Sequence, residues 1–173
     1  MTSLQEFCSF SGGGKLKLSK ADYVESGIVA FSAAGPDGFV GVQEFSQKAI
    51  VVSSIGARCG KAFLASEPFT TLPNTYVVFP NEKIADPKFL WYQLNDENSW
   101  IRSGTAQPFI KPSDIKSRRV ILPPLAEQRR IVEMLDRAAA IQRLRRAAEE
   151  KAREIIPALF VDMFGDPATN PKG

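Results

Sequence analysis

The chain contains residues that could bind phosphate, but it lacks the side chain that enzymes most often use as a general base. None of its 173 residues is histidine, which excludes Ser-His-Asp and Cys-His nucleophile systems and the HExxH zinc site. The segment Gly56–Ala62 resembles a phosphate-binding loop. However, three residues separate its glycines where four are required, and Ala62 replaces the Ser or Thr that binds magnesium. A strand-turn-strand with a basic tip is the simpler interpretation.

Acidic residues and cysteines give no better case for an enzyme. Asp37 and Asp114 could imitate the carboxylates of a metal-dependent nuclease, but Asp37 is in a Gly-Pro-Asp-Gly sequence typical of a turn. An adenine methyltransferase needs a donor-binding glycine loop and an Asn or Asp before Pro-Pro-aromatic, whereas residues 122–125 are Leu-Pro-Pro-Leu. Cys8 and Cys59 match no metal or redox spacing. We therefore expect no catalytic residue and no metal site.

Charge and hydropathy are those of an ordinary globular protein. The formal net charge is +3, and 24% of residues are charged. Indiscriminate binding to phosphates usually needs a more basic surface. No apolar run approaches the roughly 18 residues of a membrane span, and the N-terminus has no signal pattern. Together with the unpaired cysteines, this predicts a cytoplasmic protein.

The hydrophobic pattern divides the chain into two parts, and together they predict an α+β fold. Residues 1–123 form a strand-rich, mixed α/β domain, with a capping box at Ser3–Glu6 that predicts a short helix, stopped by the glycines at 12–14. Helical periodicity covers Pro87–Ile101. Turn residues such as those at 35–38 separate the predicted strands, which are Ile28–Ala34, Phe39–Phe45, Ala49–Ile55, Ala62–Ala65, Thr75–Phe79 and Val120–Leu122. Their aromatic residues are expected in the core, namely Phe31, Phe39, Phe45, Phe63, Phe69, Tyr76 and Phe79.

Residues 124–164 form the second part, which is predicted to be one long helix. Helix-forming residues replace glycine, and Pro124 suits a first helical position. Pro157 removes a backbone donor, so we expect a kink or break there, and Gly165 ends the helix before a tail at 165–173. An apolar stripe runs along one face at three- and four-residue steps, and its members are Ile131, Met134 or Leu135, Ala138, Ile141, Leu144, Ala148, Ile155 and Leu159.

The length of this helix predicts a helical partner. From 124 to 155 it measures about 48 Å at 1.5 Å per residue. A domain of about 120 residues has a radius of gyration near 14 Å and cannot cover the whole stripe. We therefore expect a two-stranded coiled coil, most simply with a second copy of the chain.

Several motifs together resemble the specificity subunits of type I restriction-modification systems. Leu122–Val132 is similar to the segment that leads into that family's conserved helix, and Ala158–Pro167 to the end of that helix. Ser103–Ile115 is similar to the end of the family's recognition domain, and Cys8–Gly14 and Pro87–Leu94 also fit its pattern. The resemblance covers essentially the whole chain. The middle of the first part, residues 28–80, has no residue-by-residue match, as expected where the DNA sequence that is read varies.

The resemblance implies a non-catalytic DNA-binding subunit. Members usually carry two recognition domains whose long helices pair antiparallel and hold the domains apart over a split DNA site. This chain has one domain and one helix, so it is expected to be a natural half-subunit or the front half of a longer protein. As a homodimer it would read a split palindrome. Modification subunits, which bind the methyl donor, and an ATP-driven restriction subunit are the implied protein partners. The chain itself is expected to bind no cofactor.

For contacts with double-stranded DNA, the useful residues are long hydrogen-bond donors on loops. Such residues occur after the glycine run, on the turn at 56–61 and on the loop before the prolines, and the candidates are Lys15, Lys17, Arg58, Lys61, Thr105, Gln107 and Lys111. We interpret the glycine run as letting backbone approach phosphate closely. Arg118 and Arg119 could contact either phosphate or a modification subunit.

Two other functions stay open from the sequence. The chain could be an adaptor or decoy that binds modification subunits without delivering them to DNA. It could also be a small DNA-modifying enzyme, which the missing histidine and donor motifs make the weakest alternative.

Overall fold

The computed structural model describes residues 1–165, apart from the side chains at 156, 158, 160 and 164. Nine strands lie in this part of the chain, namely β1 (Thr2–Ser3), β2 (Cys8–Gly12), β3 (Ile28–Ser32), β4 (Gly35–Val40), β5 (Ala49–Ser53), β6 (Ala62–Ala65), β7 (Phe69–Thr71), β8 (Thr75–Pro80) and β9 (Arg119–Val120). The α-helices are α1 (Pro87–Leu94), α2 (Pro112–Ser117) and α3 (Leu125–Phe164). This is the strand-rich α+β arrangement, followed by a long helix, that the sequence predicts.

The central sheet has four antiparallel strands in the order β2-β8-β5-β6. Every residue of β5 is buried, because both faces of the sheet are covered. Successive side chains point to opposite faces of a strand, so Ile50 and Val52 join a core with α1, while Val51 joins a second core. Burial of these apolar side chains stabilises the sheet that positions the loops described below.

The second core lies between this sheet and a three-stranded sheet of order β4-β3-β7. Its centre is Phe69, which is fully buried and packs against the rings of Phe31 and Phe45, with centroid distances of 5.8 and 5.1 Å. Most of the aromatic residues predicted for the core are buried or half-buried. Phe39 is the exception: it is 41% exposed, so its predicted burial was wrong.

Two predictions made from turn-forming residues are wrong in the region of β4. The residues of the Gly-Pro-Asp-Gly sequence were expected to form a turn before a strand at 39–45, but they lie inside β4, which ends at Val40. Pro36 opposes Phe31 next to a register shift between Ala30 and Phe31. An edge strand with such an irregularity tolerates proline because no ladder hydrogen bond is required from it.

The boundaries of two predicted helices also differ. The helix expected over 87–101 ends at Leu94, and Asp96 then caps a short 3-10 helix, which leaves Ile101 74% exposed. At the N-terminus the capping box forms, but only as a 3-10 helix over Leu4–Glu6. The following residues, Cys8–Gly12, pair with β8 as a strand, so the glycine run does not act as a helix stop.

Helix α3 begins one residue after Pro124 and continues through Pro157. The helix is therefore not broken at Pro157; a bend there stays a prediction, and the tail beyond Gly165 lies outside the described residues. Chain contacts define two units, one of residues Met1–Arg130 and one that begins at Ile131. No helix within residues 1–165 is both long and apolar enough to cross a bilayer.

Candidate functional site

Three connections leave the four-stranded sheet at one end. Because the strands alternate in direction, the end of β2 at Gly12, the end of β5 at Ser53 and the start of β8 at Thr75 lie side by side. The turns at 13–17, 54–61 and 72–74 therefore emerge together. They carry Lys15, Lys17, Arg58 and Lys61, which the sequence distributes over 47 positions but the antiparallel pairing brings to one end.

The loop at 103–111 joins the same end through backbone hydrogen bonds. Ile110 N–H donates to the carbonyl of Ser54 at 2.9 Å, and Gly56 N–H donates to the carbonyl of Pro108 at 2.9 Å. The loop closes on itself by an antiparallel bridge between Ser103 and Phe109. Thr105, Gln107 and Lys111 thus belong to the same surface as the turns, and we call these four segments (13–17, 54–61, 72–74 and 103–111) the loop end.

The glycine run packs against the chain itself. Gly13 N–H donates to the carbonyl of Thr75 at 3.0 Å, and a Cβ on Gly13 would lie 1.9 Å from the Thr75 hydroxyl oxygen. A Cβ on Gly14 would lie 2.7 Å from the nitrogen of Pro73. These glycines are needed for close approach to the turn before β8; approach of their backbone to phosphate stays a prediction. Lys15 and Lys17 remain exposed beside them.

The two basic residues on the 54–61 turn are not equivalent. Arg58 is exposed, and its Nη1 donates to the carbonyl of Ala34 at 3.1 Å, so its charge has no acidic partner among the described residues. The Nζ of Lys61 lies 3.6 Å from Oε1 of Glu97, and its side chain is only one-third exposed. The charge of Lys61 is therefore partly balanced, whereas that of Arg58 is available to a ligand.

The polar candidates on the 103–111 loop are exposed. The side chains of Thr105, Gln107 and Lys111 form no hydrogen bond with another residue of the described chain. Lys111 directly precedes α2 at Pro112. The carboxamide of Gln107 can bond an adenine edge, and a lysine can bond guanine or phosphate.

Asn74, which is not among the candidates chosen from the sequence, also lies at the loop end. It is exposed, has a left-handed backbone with φ of 66°, and its carbonyl accepts a 2.9 Å hydrogen bond from Ser54 N–H. Asparagine tolerates this conformation better than most residues. The Pro-Asn pair between two strand patterns was a turn signal, but nothing local could place that turn beside the 54–61 turn.

The side chain of Arg118 is held in place by contacts with Trp100 and Ser99. Its guanidinium lies 4.9 Å from the ring of Trp100, donates to the Ser99 hydroxyl at 2.7 Å and also donates to the Ser99 carbonyl. Burial lowers the pKa of Arg118 from its usual value, while the charge of Asp96 acts in the opposite direction. Arg118 thus fixes the segment after α1. Arg119 is exposed and pairs with Ser3 across β1 and β9.

The residues considered for catalysis do not come together as a site. Asp37 lies in β4, where Lys20 Nζ contacts it at 2.8 Å, and Asp114 lies in α2. Residues 1–165 contain no cluster of three or more His, Cys, Asp and Glu side chains that could hold a metal. Burial raises the pKa of the Cys8 thiol to about 12 and also raises that of Cys59, which suppresses nucleophilic thiolate.

The apolar stripe of α3 is exposed along the described helix. Ile131 is half-buried, but Leu135 is 38% exposed, Ile141 58%, Leu144 66% and Ile155 53%. Ala138 and Ala148 are exposed as well. A contiguous apolar surface of this kind is typical of an interaction face.

Comparison with known proteins gives a consistent result. A family model described as the type I restriction modification DNA specificity domain matches residues 1–151. Among solved structures, the type I restriction-modification S subunit from M. genitalium is 19% identical with a TM-score of 0.63, and covers 98% of this chain and 49% of that one. The HsdS subunit from Thermoanaerobacter tengcongensis is 21% identical with a TM-score of 0.61, covering 84% of this chain and 39% of that one.

A third similar structure is 21% identical with a TM-score of 0.66, covers 89% of this chain and 42% of that one, and comes from work on complex assembly and conformational transition of the type I R-M system. The chain therefore spans less than half the length of the solved chains it matches. No curated protein sequence matches it. These structural likenesses agree in fold, and the family match covers most of the sequence. The chain belongs to the family of type I restriction-modification DNA specificity domains.

Proposed function

We propose that this chain reads one half of a split DNA site through its loop end. The observation that carries the proposal is that Lys15, Lys17, Arg58, Thr105 and Gln107 are exposed on one continuous surface built from loops. Basic residues on such a surface contact phosphates and fix the position of the protein, whereas the amide and hydroxyl groups read base edges.

The partners are the second part of the proposal. Helix α3 pairs with a second copy of the chain, so two recognition domains read an inverted repeat. Modification subunits dock on this pair and supply the methyl donor and the target-base chemistry, and a restriction subunit supplies ATP-driven cleavage. The support is the family and the exposed stripe of α3. A protein with this role works in the cytoplasm, where both thiols stay reduced.

Self-pairing is tested by light scattering on the purified chain at micromolar concentration. The wild-type chain is expected to have the mass of a dimer, and Ile141→Asp that of a monomer with an unchanged domain fold by circular dichroism. A wild-type monomer in the absence of any partner would contradict self-pairing.

An adaptor that binds modification subunits without reading DNA is the second candidate. The ion pairs that Lys61 and Lys20 form with Glu97 and Asp37 reduce the free positive charge of the domain, which favours this alternative. A complex of the chain with its modification subunits that forms normally but shows no preference among DNA sequences would support the adaptor and contradict the proposed DNA reading.

A further inference from the structure

Glu44, in the connection between β4 and β5, reaches the loop end through Thr71. Its backbone is fixed, because its N–H donates to the carbonyl of Phe69 at 3.3 Å and to the hydroxyl of Thr70 at 3.2 Å. One carboxylate oxygen, Oε2, accepts the N–H of Thr71 at 3.1 Å and its hydroxyl at 2.8 Å. The other oxygen, Oε1, is buried and has no hydrogen-bond partner within the described residues. A carboxylate oxygen buried without a donor is unfavourable, so stability alone does not account for a glutamate at this position.

Thr71 connects Glu44 to the glycine run. It is fully buried at the end of β7, directly before the turn at 72–74. Because its hydroxyl proton is donated to the carboxylate, the lone pairs of its oxygen are left to accept, and Gly14 N–H donates to that oxygen at 3.4 Å. The carboxylate of Glu44 thus sets the direction of the Thr71 hydroxyl, and the hydroxyl oxygen holds Gly14.

The turn that follows Gly14 carries two lysines in a conformation that needs support. Lys17 N–H donates to the carbonyl of Gly14 at 3.1 Å, so residues 14–17 close a turn. Lys17 has a left-handed backbone with φ of 54°, which is uncommon for a lysine and persists only where surrounding contacts hold it. The side chains of Lys15 and Lys17 are exposed and form no ion pair or hydrogen bond with other residues of the described chain. The position of both lysines therefore depends on how Gly14 is held.

We infer that Glu44 is a positioning residue for DNA binding, which acts through Thr71 and Gly14 to hold Lys15 and Lys17 in a fixed geometry for phosphate contacts. The inference rests on the DNA reading proposed above and adds a residue that itself touches no DNA. Contacts with phosphates fix the register and orientation of a protein on the duplex. A turn that is not held loses part of this contribution, because its backbone and two long side chains must then be ordered on binding.

The charge of Glu44 has an opposite effect on DNA binding, and this gives the test its sign. A carboxylate near the loop end repels phosphate, so removing a residue that acts only by its charge would strengthen binding. Removing a residue that holds Thr71 weakens binding instead. Glutamine keeps an oxygen that can accept from Thr71 and removes the charge. The comparison of Glu44→Ala with Glu44→Gln therefore separates the two effects.

DNA binding is measured with the full-length chain in complex with its modification subunits, on the preferred site and over a range of salt concentrations. Glu44→Ala should weaken binding about 3- to 10-fold at low salt and lower the slope of log affinity against log salt, since each phosphate contact contributes about 0.9 to that slope. Glu44→Gln should bind at least as tightly as the wild-type chain. The matched control is Glu82→Ala, an exposed glutamate after β8 at the opposite end of the sheet, which should leave the affinity unchanged.

A double-mutant cycle shows whether Glu44 acts through the two lysines. In a chain that already carries Lys15→Ala and Lys17→Ala, Glu44→Ala should cause no further loss of affinity, because the residues that it positions are gone. Thr71→Val, which removes the hydroxyl and keeps the shape of the side chain, should weaken binding as Glu44→Ala does. An equal effect of Glu44→Ala in both backgrounds would overturn the inference.

Amide hydrogen exchange of the chain without DNA tests the same contacts directly. Glu44→Ala should speed exchange at residues 13–17 and leave the amides of β5 and β8 unchanged. Faster exchange throughout the domain, or unchanged or tighter DNA binding by Glu44→Ala, would overturn the inference and leave the DNA reading in place. A wild-type complex without preference among DNA sequences would instead contradict the proposed function and this inference together.

Discussion

The side-chain oxygen of Gln128 accepts a 2.8 Å hydrogen bond from the backbone N–H of Asp86, the residue that caps α1. The amide group of Gln128 donates to the carbonyls of Ile84 at 3.0 Å and Pro123 at 2.8 Å. Its side chain is fully buried, and all of these contacts lie within the unit Met1–Arg130. One carboxamide therefore attaches the first turn of α3 to the segment between β8 and α1.

Replacing this glutamine should destabilise the domain. Gln128→Leu keeps the size of the side chain but leaves one part-buried N–H and two carbonyls without their partner, which should lower the free energy of unfolding by about 1–3 kcal/mol. Denaturant unfolding measures the change. Gln142→Leu, the same substitution at an exposed position of α3, should alter stability by less than about 0.5 kcal/mol. Equal effects at both positions would show that the contacts of Gln128 contribute nothing.

The different environments of Arg58 and Lys61 predict unequal contributions to DNA binding. Arg58→Ala in the complex with modification subunits should weaken binding about 10-fold at low salt and reduce the slope of log affinity against log salt by about 1. Lys61→Ala should have a smaller effect, because Glu97 already balances part of its charge. Lys83→Ala, an exposed lysine after β8 at the opposite end of the sheet, is the matched control. Unchanged affinity of Arg58→Ala at several salt concentrations would remove Arg58 from the interface.

Gln107 and Asn74 should affect sequence preference more than total affinity. Either residue replaced by alanine should reduce the discrimination between the preferred site and a single-base variant by about 1–3 kcal/mol if its amide bonds a base edge. Competition binding with single-base variants of the site gives this difference. The control is Gln47→Ala, an exposed glutamine at the other end of β5. A uniform loss over all DNA sequences would assign these residues to phosphate contacts instead.

The thiols should react slowly in the folded chain. Burial raises the pKa of Cys8 to about 12, so its thiolate fraction at pH 8 is very small, and Cys59 is fully buried. Labelling by a disulfide reagent should be slow at pH 8 and should become rapid when the chain is unfolded in denaturant. Rapid labelling of the folded chain at Cys8 would contradict the raised pKa of this half-buried thiol.

The local sequence pattern predicts the strands and helices whose structure is determined by their own residues and not by distant pairing. This holds for β5, β6, β8 and α3. Burial of one face or both requires apolar residues at a regular spacing, and that spacing can be recognised in the sequence. The strand β7 was missed because it pairs in parallel with β3, more than 35 positions earlier. The turn residues at 35–38 were misassigned because pairing with β3 overrides the local preference.

The candidate site likewise has features that the sequence predicts and features that only the fold shows. That long polar side chains would lie on loops could be predicted from composition and turn residues. That Lys15, Arg58 and Gln107 would share one surface could not, because it follows from the strand order β2-β8-β5-β6 and from the bond between Ile110 and Ser54. The contact of Arg118 with Trp100 could likewise not be predicted, because Trp100 lies in a segment with no periodic pattern.

The most direct test of the account is selection of bound DNA from a random pool by the chain assembled with its modification subunits. The account predicts a split site whose two halves are inverted repeats of one sequence, separated by a constant number of unspecified bases, and a loss of this preference in Arg58→Ala with Gln107→Ala. Two unrelated half-sites, a single unrepeated site or no sequence preference at all would contradict it.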